Sequence, residues 1–262
     1  MENKVVIITG ASSGIGAATA LRLAREKMRL TLAARRLERL EQMAAQVQAL
    51  GGEALVVQVD VRQPGDIQRM VQATLERWGR IDVLLNNAGV GSGPPLADMT
   101  PEEIERRIHT NLIAVIECAQ AVLPVMLRQK AGHIINVASI SGLIATPGST
   151  IYCASKFGVI GFSDALYREL LGTGVRVSAF CPGYTPTEIT PELKAHAEGR
   201  PDARYVPGLM PVSYVAEQIA RLIRRPRLRM VVPPSWNVLV ALALMFPWLV
   251  DLLAPAFKLK GK

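Results

Sequence analysis

The chain is short of several things whose scarcity narrows its class. Its three cysteines, Cys118, Cys153 and Cys181, are odd in number and widely spaced. No Cys or His positions fall at metal-ligand spacing, so neither a disulfide framework nor a metal site is supported, and a reducing, cytoplasmic setting is expected. Aromatic residues make up only 5% of the 262 positions. They lie mostly away from the basic clusters, which argues against nucleic acid as a partner despite a formal net charge of +8. Linkers rich in Ser, Gly or Pro are missing, as are repeats of solenoid period, so one domain with an appendage is expected. The first residues enter a short apolar strand with neither a long apolar segment nor a cleavage site, and no secretory signal is expected. What is there is apolarity: half of the residues are hydrophobic, enough to build a sizeable core. The basic surface leaves anionic lipid or a phosphorylated cofactor as partners to weigh.

Short aliphatic runs alternate with segments of helical period. Strands are expected at Val5 to Thr9, Leu30 to Ala34, Ala54 to Asp60, Val83 to Asn86, His133 to Val137, Val175 to Phe180 and Leu228 to Val232. Helices are expected at Ile15 to Lys27, Leu37 to Leu50, Pro64 to Trp78, from the Thr100 cap onward, Leu112 to Leu127 and Ile151 to Leu171. Near-continuous apolar strands separated by helices predict an α/β fold: one doubly wound parallel sheet of Rossmann type with helices on both faces. Ligands of such sheets bind beyond the carboxyl ends of the strands. The irregular stretch Tyr184 to Pro211 is expected to form a flap over the substrate.

The first strand runs directly into Thr9-Gly10-Ala11-Ser12-Ser13-Gly14-Ile15-Gly16 and then a helix. Gly10 permits the sharp turn, Gly14 lets the backbone approach a pyrophosphate, and Gly16 allows close packing of helix on sheet. The helix N-terminus offers free N–H groups to phosphates. Gly10, Ser12, Ser13, Gly14, Ile15 and Gly16 are therefore candidate cofactor contacts. The second strand ends in Ala33-Ala34-Arg35-Arg36. It carries no carboxylate to hold a ribose 2′-hydroxyl, and a guanidinium fork binds a 2′-phosphate bidentately, so NADP(H) is the expected cofactor through Arg35 and Arg36. Cations at a helix start are disfavoured by its dipole, which makes a merely structural role for both the weaker reading.

Tyr152 and Lys156 stand one turn apart on one face of a predicted helix. A neighbouring ammonium stabilises phenolate and brings a tyrosine towards acid/base range. Taken in order, the glycine turn, Asp60, Asn86-Asn87-Ala88-Gly89, Asn111, Ser139, Tyr152 with Lys156, and Pro182-Gly183 resemble the short-chain dehydrogenase/reductase family, from the first strand to about Met230. The resemblance implies that Tyr152 is the general acid/base, that Lys156 lowers its pKa and holds the nicotinamide ribose, and that Ser139 binds the substrate oxygen. It further implies that Asn111 kinks its helix and holds a water in a proton relay. Cofactor contacts carry over to Asp60 and Val61 at the adenine, to Asn87, Ala88 and Gly89 beside the adenosine ribose, and to Pro182, Gly183 and Thr187 at the carboxamide. Homodimers or homotetramers built on the helices holding Asn111 and Tyr152 are implied as well. Cys153 reads as packing, and His109, His133 and His196 match no role.

The chain departs from the family in an apolar tail, with a catalytic domain expected over 1–232 and the tail over 233–262. Met230 to Val250 holds no charged residue, and its prolines predict two short apolar helices in place of one membrane span. Arg221, Arg224, Arg225, Arg227 and Arg229 precede it, Lys258, Lys260 and Lys262 follow, and Trp236 and Trp248 suit an interface. Contact of residues 236–256 with the inner face of a membrane is weighed evenly against packing on a neighbouring subunit or over the active-site mouth. Leu96, Leu143, Ile144 and Leu209 are expected near the site and favour a lipophilic substrate. The expected function is an NADP(H)-dependent oxidoreductase acting on a lipophilic ketone or secondary alcohol, steroid-like, retinoid-like or oxo-acyl. The alternative is a cofactor-binding protein with a scaffolding or membrane-recruitment role, whose signature would be a broken catalytic set. An epimerase would need a larger substrate domain.

Overall fold

The computed structural model describes residues 2–189, 209–248 and 250–252. Seven parallel strands form one sheet: β1 (Val5–Thr9), β2 (Arg29–Ala34), β3 (Glu53–Gln58), β4 (Val83–Asn86), β5 (Gly132–Val137), β6 (Val175–Pro182) and β7 (Arg229–Val232). Their order is β3-β2-β1-β4-β5-β6-β7. The chain winds outward one way from β1 and then the other way from β4, so a crevice opens between the carboxyl ends of these two strands, where such sheets bind ligands.

The central strands β1 and β4 are buried along their whole length and largely apolar, and successive residues serve opposite layers. Val6 and Ile8 point into one core with Leu23, Leu40, Val215 and Ile219, whereas Ile7 points into the other with Met70, Val122 and Leu166. The first layer holds α1 (Gly14–Ala24), α2 (Leu37–Ala49) and, late in the chain, Val212–Arg224; the second holds α3 (Pro64–Trp78), α5 (Ala114–Gln129) and α6 (Thr150–Glu169). Helix α4 (Pro101–Ile108) starts as its sequence predicts, with the Thr100 hydroxyl accepting from Glu103 N at 3.3 Å and proline in the first turn.

Three differences from the expected elements matter. Helices α4 and α5 are one continuous run joined by a π-helical turn, His109–Ile113, which turns Asn111 into full burial. Inserting a residue this way re-aims a side chain without breaking the helix. Strand β6 continues to Pro182 because β7 pairs with it there, Pro182 opposite Val232. Helix α7 (Val212–Arg224), unassigned from sequence, buries Val215, Ile219, Leu222 and Ile223 at helical spacing.

The last described helix, α8 (Trp236–Met245), buries Val240 and leaves Val238, Leu239, Leu244 and Met245 exposed. At its base the Trp236 ring meets Tyr184 edge-on, centroids 5.5 Å apart. Helix breaks at Phe246 and resumes at Pro247. Part of the basic flank before it is spent inside the protein: Arg224 pairs with Glu26 and Glu217, Arg221 with Glu217, and Arg229 with Asp164 at 2.7 Å. Lys258, Lys260 and Lys262 lie outside the described residues, as do His196 and most of the expected flap. Among the described residues one helical run, Pro101–Gln129, is long and apolar enough to cross a membrane; 44% of its apolar window is buried inside the protein. That burial, with Cys118, Val122 and Met126 in the core against the sheet, makes it a core helix.

Candidate active site

The glycine turn leaves β1 at the switch point. Gly10 and Gly14 have φ of +69° and +57°, a region that favours glycine. At Gly16 a β-carbon would drive into the Gly10 carbonyl and lie 2.6 Å from Asn87 Nδ2. The turn is stitched to the end of β4. Thr9 Oγ1 accepts from the N–H groups of Asn87 and Ala88, each at 3.0 Å, and Asn87 Nδ2 donates to Thr9 O at 3.0 Å and to Gly10 O at 3.3 Å. The Asn87 side chain therefore serves the turn's backbone here. This cradle fits a dinucleotide: Ser13, Gly14, Ile15 and Gly16 open α1, whose first N–H groups have no partner within the helix.

Of the two arginines after β2, Arg36 reaches the turn, donating to Ser12 Oγ at 3.1 Å and Ser13 Oγ at 2.9 Å. Arg35 lies near enough to Asp60 for its charge to help hold that carboxyl low. Asp60 is paired chiefly with Arg62, at 2.6 Å, which is the main cause of its lowered pKa; Val61 beside it is buried. A third arginine that sequence reasoning passed over, Arg39, points the same way as Arg36, and both donate to Glu188. Glu188 follows Thr187, which packs on the turn: a β-carbon on Gly14 would lie 3.2 Å from Thr187 Cγ2. Pro182 ends β6 and Gly183 follows it, with Gly183 N donating to Val232 O at 2.8 Å.

The catalytic candidates gather at the carboxyl ends of β4 and β5. Ser139 follows β5, and its buried hydroxyl oxygen accepts from Ser141 N at 3.1 Å. Burial raises the Tyr152 pKa and outweighs the nearby Ser139 hydroxyl, which favours phenolate. Lys156 is buried, donates to Val137 O at 2.8 Å and holds its ammonium 5.7 Å from the Tyr152 ring centroid. Burial pushes its pKa down to about 8. Asn111 clamps the loop before it: Oδ1 accepts from Val90 N at 2.8 Å while Nδ2 donates to Val90 O at 3.0 Å and Ser155 Oγ at 3.3 Å. Gly89 fits because a β-carbon there would meet Asn111 Oδ1 at 3.2 Å and Lys156 Nζ at 4.0 Å. The buried Arg107, also missed from sequence, holds the same loop by donating to Gly91 O.

Other expectations land away from the chemistry. Cys118, Cys153 and Cys181 are free and buried. His133 bonds Ser178 Oγ at 2.8 Å inside the sheet layer, and His109 sits 3.7 Å from Glu117. Leu143, expected to line the site, is buried in the core cluster that also takes Val240, and Ile144 packs against it; its aliphatic side chain gains more from that burial than from a loop surface. A cavity of about 550 Å³ lies between α6 and the tail, lined by Thr146, Pro147, Cys153, Phe157 and Val250 among others. It borders the face of α6 that carries Cys153 and Phe157, about 100° from the one carrying Tyr152 and Lys156, so we place the chemistry at the polar cluster and not in this cavity.

The family pattern for short chain dehydrogenases matches residues 4–198. The chain belongs to this family. It is 40% identical over 193 residues to a 3-oxoacyl-(acyl-carrier-protein) reductase of Synechocystis, covering 73% of this chain and 78% of that protein. Its likeness to the reductase of that name from Thermotoga maritima is 38% over 197 residues, 75% and 80% of the two chains. Among solved structures, a short chain dehydrogenase/reductase from Burkholderia phymatum in complex with NAD superposes with TM-score 0.84, 30% identity and 95% of both chains covered. A variant of actinorhodin polyketide ketoreductase with NADPH superposes with TM-score 0.79 and 34% identity, over 88% of this chain and 97% of that one. This short chain dehydrogenase is an oxidoreductase. Its tail lies beyond the family match.

Proposed function

We propose that this short chain dehydrogenase is an NADP(H)-dependent ketoreductase acting on a lipophilic ketone or the corresponding secondary alcohol. The observation that carries the reading is the Ser139 hydroxyl beside the Tyr152 phenol, with the Lys156 ammonium 5.7 Å from the phenol ring centroid. Nicotinamide, when bound, supplies or accepts the hydride. Ser139 and Tyr152 bring two hydroxyls to one place, and two positioned donors stabilise a developing alkoxide. Burial keeps the phenol protonated near neutral pH, so Tyr152 can donate its proton to that oxygen and retrieve it in the reverse direction. Lys156, fixed by the Val137 carbonyl, holds positive charge against the phenolate left behind. Asn111 keeps the Gly89–Val90 loop in place beside it.

Arg36 on Ser12 and Ser13, with Arg39 next to it and Arg35 beside it in the chain, supports a 2′-phosphate and hence NADP(H). Within the substrate range, the relatives named for 3-oxoacyl reduction favour an oxo-acyl chain over a steroid or retinoid. The exposed apolar side of α8 supports a tail that meets a bilayer surface, a neighbouring subunit or the active-site mouth, and a cytoplasmic location belongs to the same reading. Assembly as a dimer or tetramer through α4, α5 and α6 belongs to the same reading. NADPH oxidation against a panel of 3-oxoacyl thioesters and lipophilic ketones tests it: turnover that disappears in Tyr152→Phe supports it. Tight NADPH binding with no turnover on any member favours the cofactor-binding scaffold. Flotation with anionic liposomes, compared with a chain cut after Val232, separates the two fates of the tail.

A further inference from the structure

At the phosphate end of the crevice, two guanidiniums converge on one anion, and that anion belongs to the chain itself. Glu188 Oε2 accepts from Arg36 Nη1 at 2.8 Å and Oε1 accepts from Arg39 Nη1, so the two carboxylate oxygens are shared between two guanidiniums. The remaining donors of Arg36 go to the Ser12 and Ser13 hydroxyls at 3.1 and 2.9 Å. The carboxylate is delivered by a seated backbone: Thr187 packs against Gly14, and a β-carbon on Gly91 would strike the Ile189 carbonyl. Arg36 and Arg39 hold the Glu188 carboxyl at about 2, so it stays ionised across any working pH.

A phosphate monoester seeks the same partners, a pair of guanidiniums with neighbouring hydroxyls. We infer that Glu188 is an internal competitor for the 2′-phosphate of NADP(H), occupying the Arg36–Arg39 fork that the phosphate must take over. The inference rests on the proposed NADP(H) reading. Binding NADP(H) exchanges one anion for another on the fork, and part of the phosphate's interaction goes to displacing the carboxylate. Binding NAD(H), which has no anion at that position, leaves the Glu188 pairs standing. The residue thereby narrows the gap between the two cofactors.

Its test is equilibrium binding to the full chain, by cofactor fluorescence for NADPH and NADH and by calorimetry for 2′,5′-ADP and 5′-ADP. In Glu188→Gln, NADPH and 2′,5′-ADP bind about three- to tenfold more tightly, the range two half-exposed ion pairs allow, while NADH and 5′-ADP stay within about twofold. Equal tightening of all four ligands would overturn the inference and make Glu188 a general cover of the crevice. Unchanged or weaker binding of the 2′-phosphates would overturn it in favour of a purely structural clamp. Glu188→Ala gives the same pattern if the effect is loss of charge. The underlying NADP(H) reading is judged separately with Arg36→Ala: equal losses for NADPH and NADH sink that reading whatever Glu188→Gln does.

Discussion

At the catalytic end of the crevice, Ser139 and Lys156 are buried and each side chain is tied to a backbone group, Ser139 to Ser141 N and Lys156 to Val137 O. At the phosphate end, Arg36, Arg39 and Glu188 are half-exposed and tied to one another. The first arrangement fixes reacting groups by bonds that solvent and salt reach poorly. The second is held by ion pairs that a ligand of the same charge can replace. One end of the site is built for position and the other for exchange, which is what a hydride-transfer enzyme with a dissociating, charged cofactor requires.

Mutation separates the ends most sharply. Tyr152→Phe should lower kcat/KM for ketone reduction by roughly 10²- to 10⁴-fold, the usual worth of a positioned proton donor, while the Kd for NADPH stays within about twofold; a parallel loss of binding would merge the two ends. Arg36→Ala should do the reverse, weakening NADPH about tenfold with little change for NADH, as expected for loss of one charge-assisted contact, and leaving kcat at saturating cofactor unaltered. Salt sharpens the same contrast at smaller amplitude. Raising ionic strength tenfold should weaken NADPH several-fold more than NADH, with kcat at saturation flat. Smallest is the pH effect. Lys156 carries a pKa of about 8 because burial disfavours its charge. The ammonium is therefore present below about pH 8 and lost above it, and the reduction rate should fall across that point, whereas Lys156→Arg, which keeps its charge, should move the fall to higher pH.

That contrast also decides what a sequence can disclose. The glycine turn, Ser139 and the Tyr152–Lys156 spacing are local patterns, each set on one element, and were legible at once. The π turn at Asn111 leaves only a helical period in the sequence, so the insertion showed as an interrupted helix. Helix α7 has a clear apolar stripe, Val215, Ile219 and Leu222, overlooked because its two arginines read as a basic flank, whereas Arg221 pairs with Glu217 and Arg224 with Glu26 and Glu217. The division of labour between Arg35 and Arg36 depends on which way adjacent residues face at the end of β2. Glu188 was out of reach, because its partners lie about 150 positions earlier, at separations of 152 and 149 residues, and only the wound sheet brings them together.

The central claim is that Tyr152 protonates a ketone oxygen as hydride arrives from NADPH. Its most direct test uses NADPH deuterated at the transferring position of the nicotinamide, with a 3-oxoacyl thioester and mass analysis of the product. The wild type should give a hydroxyacyl product one mass unit heavier, and Tyr152→Phe almost none in the same time. Labelled product formed equally by both proteins would contradict the claim.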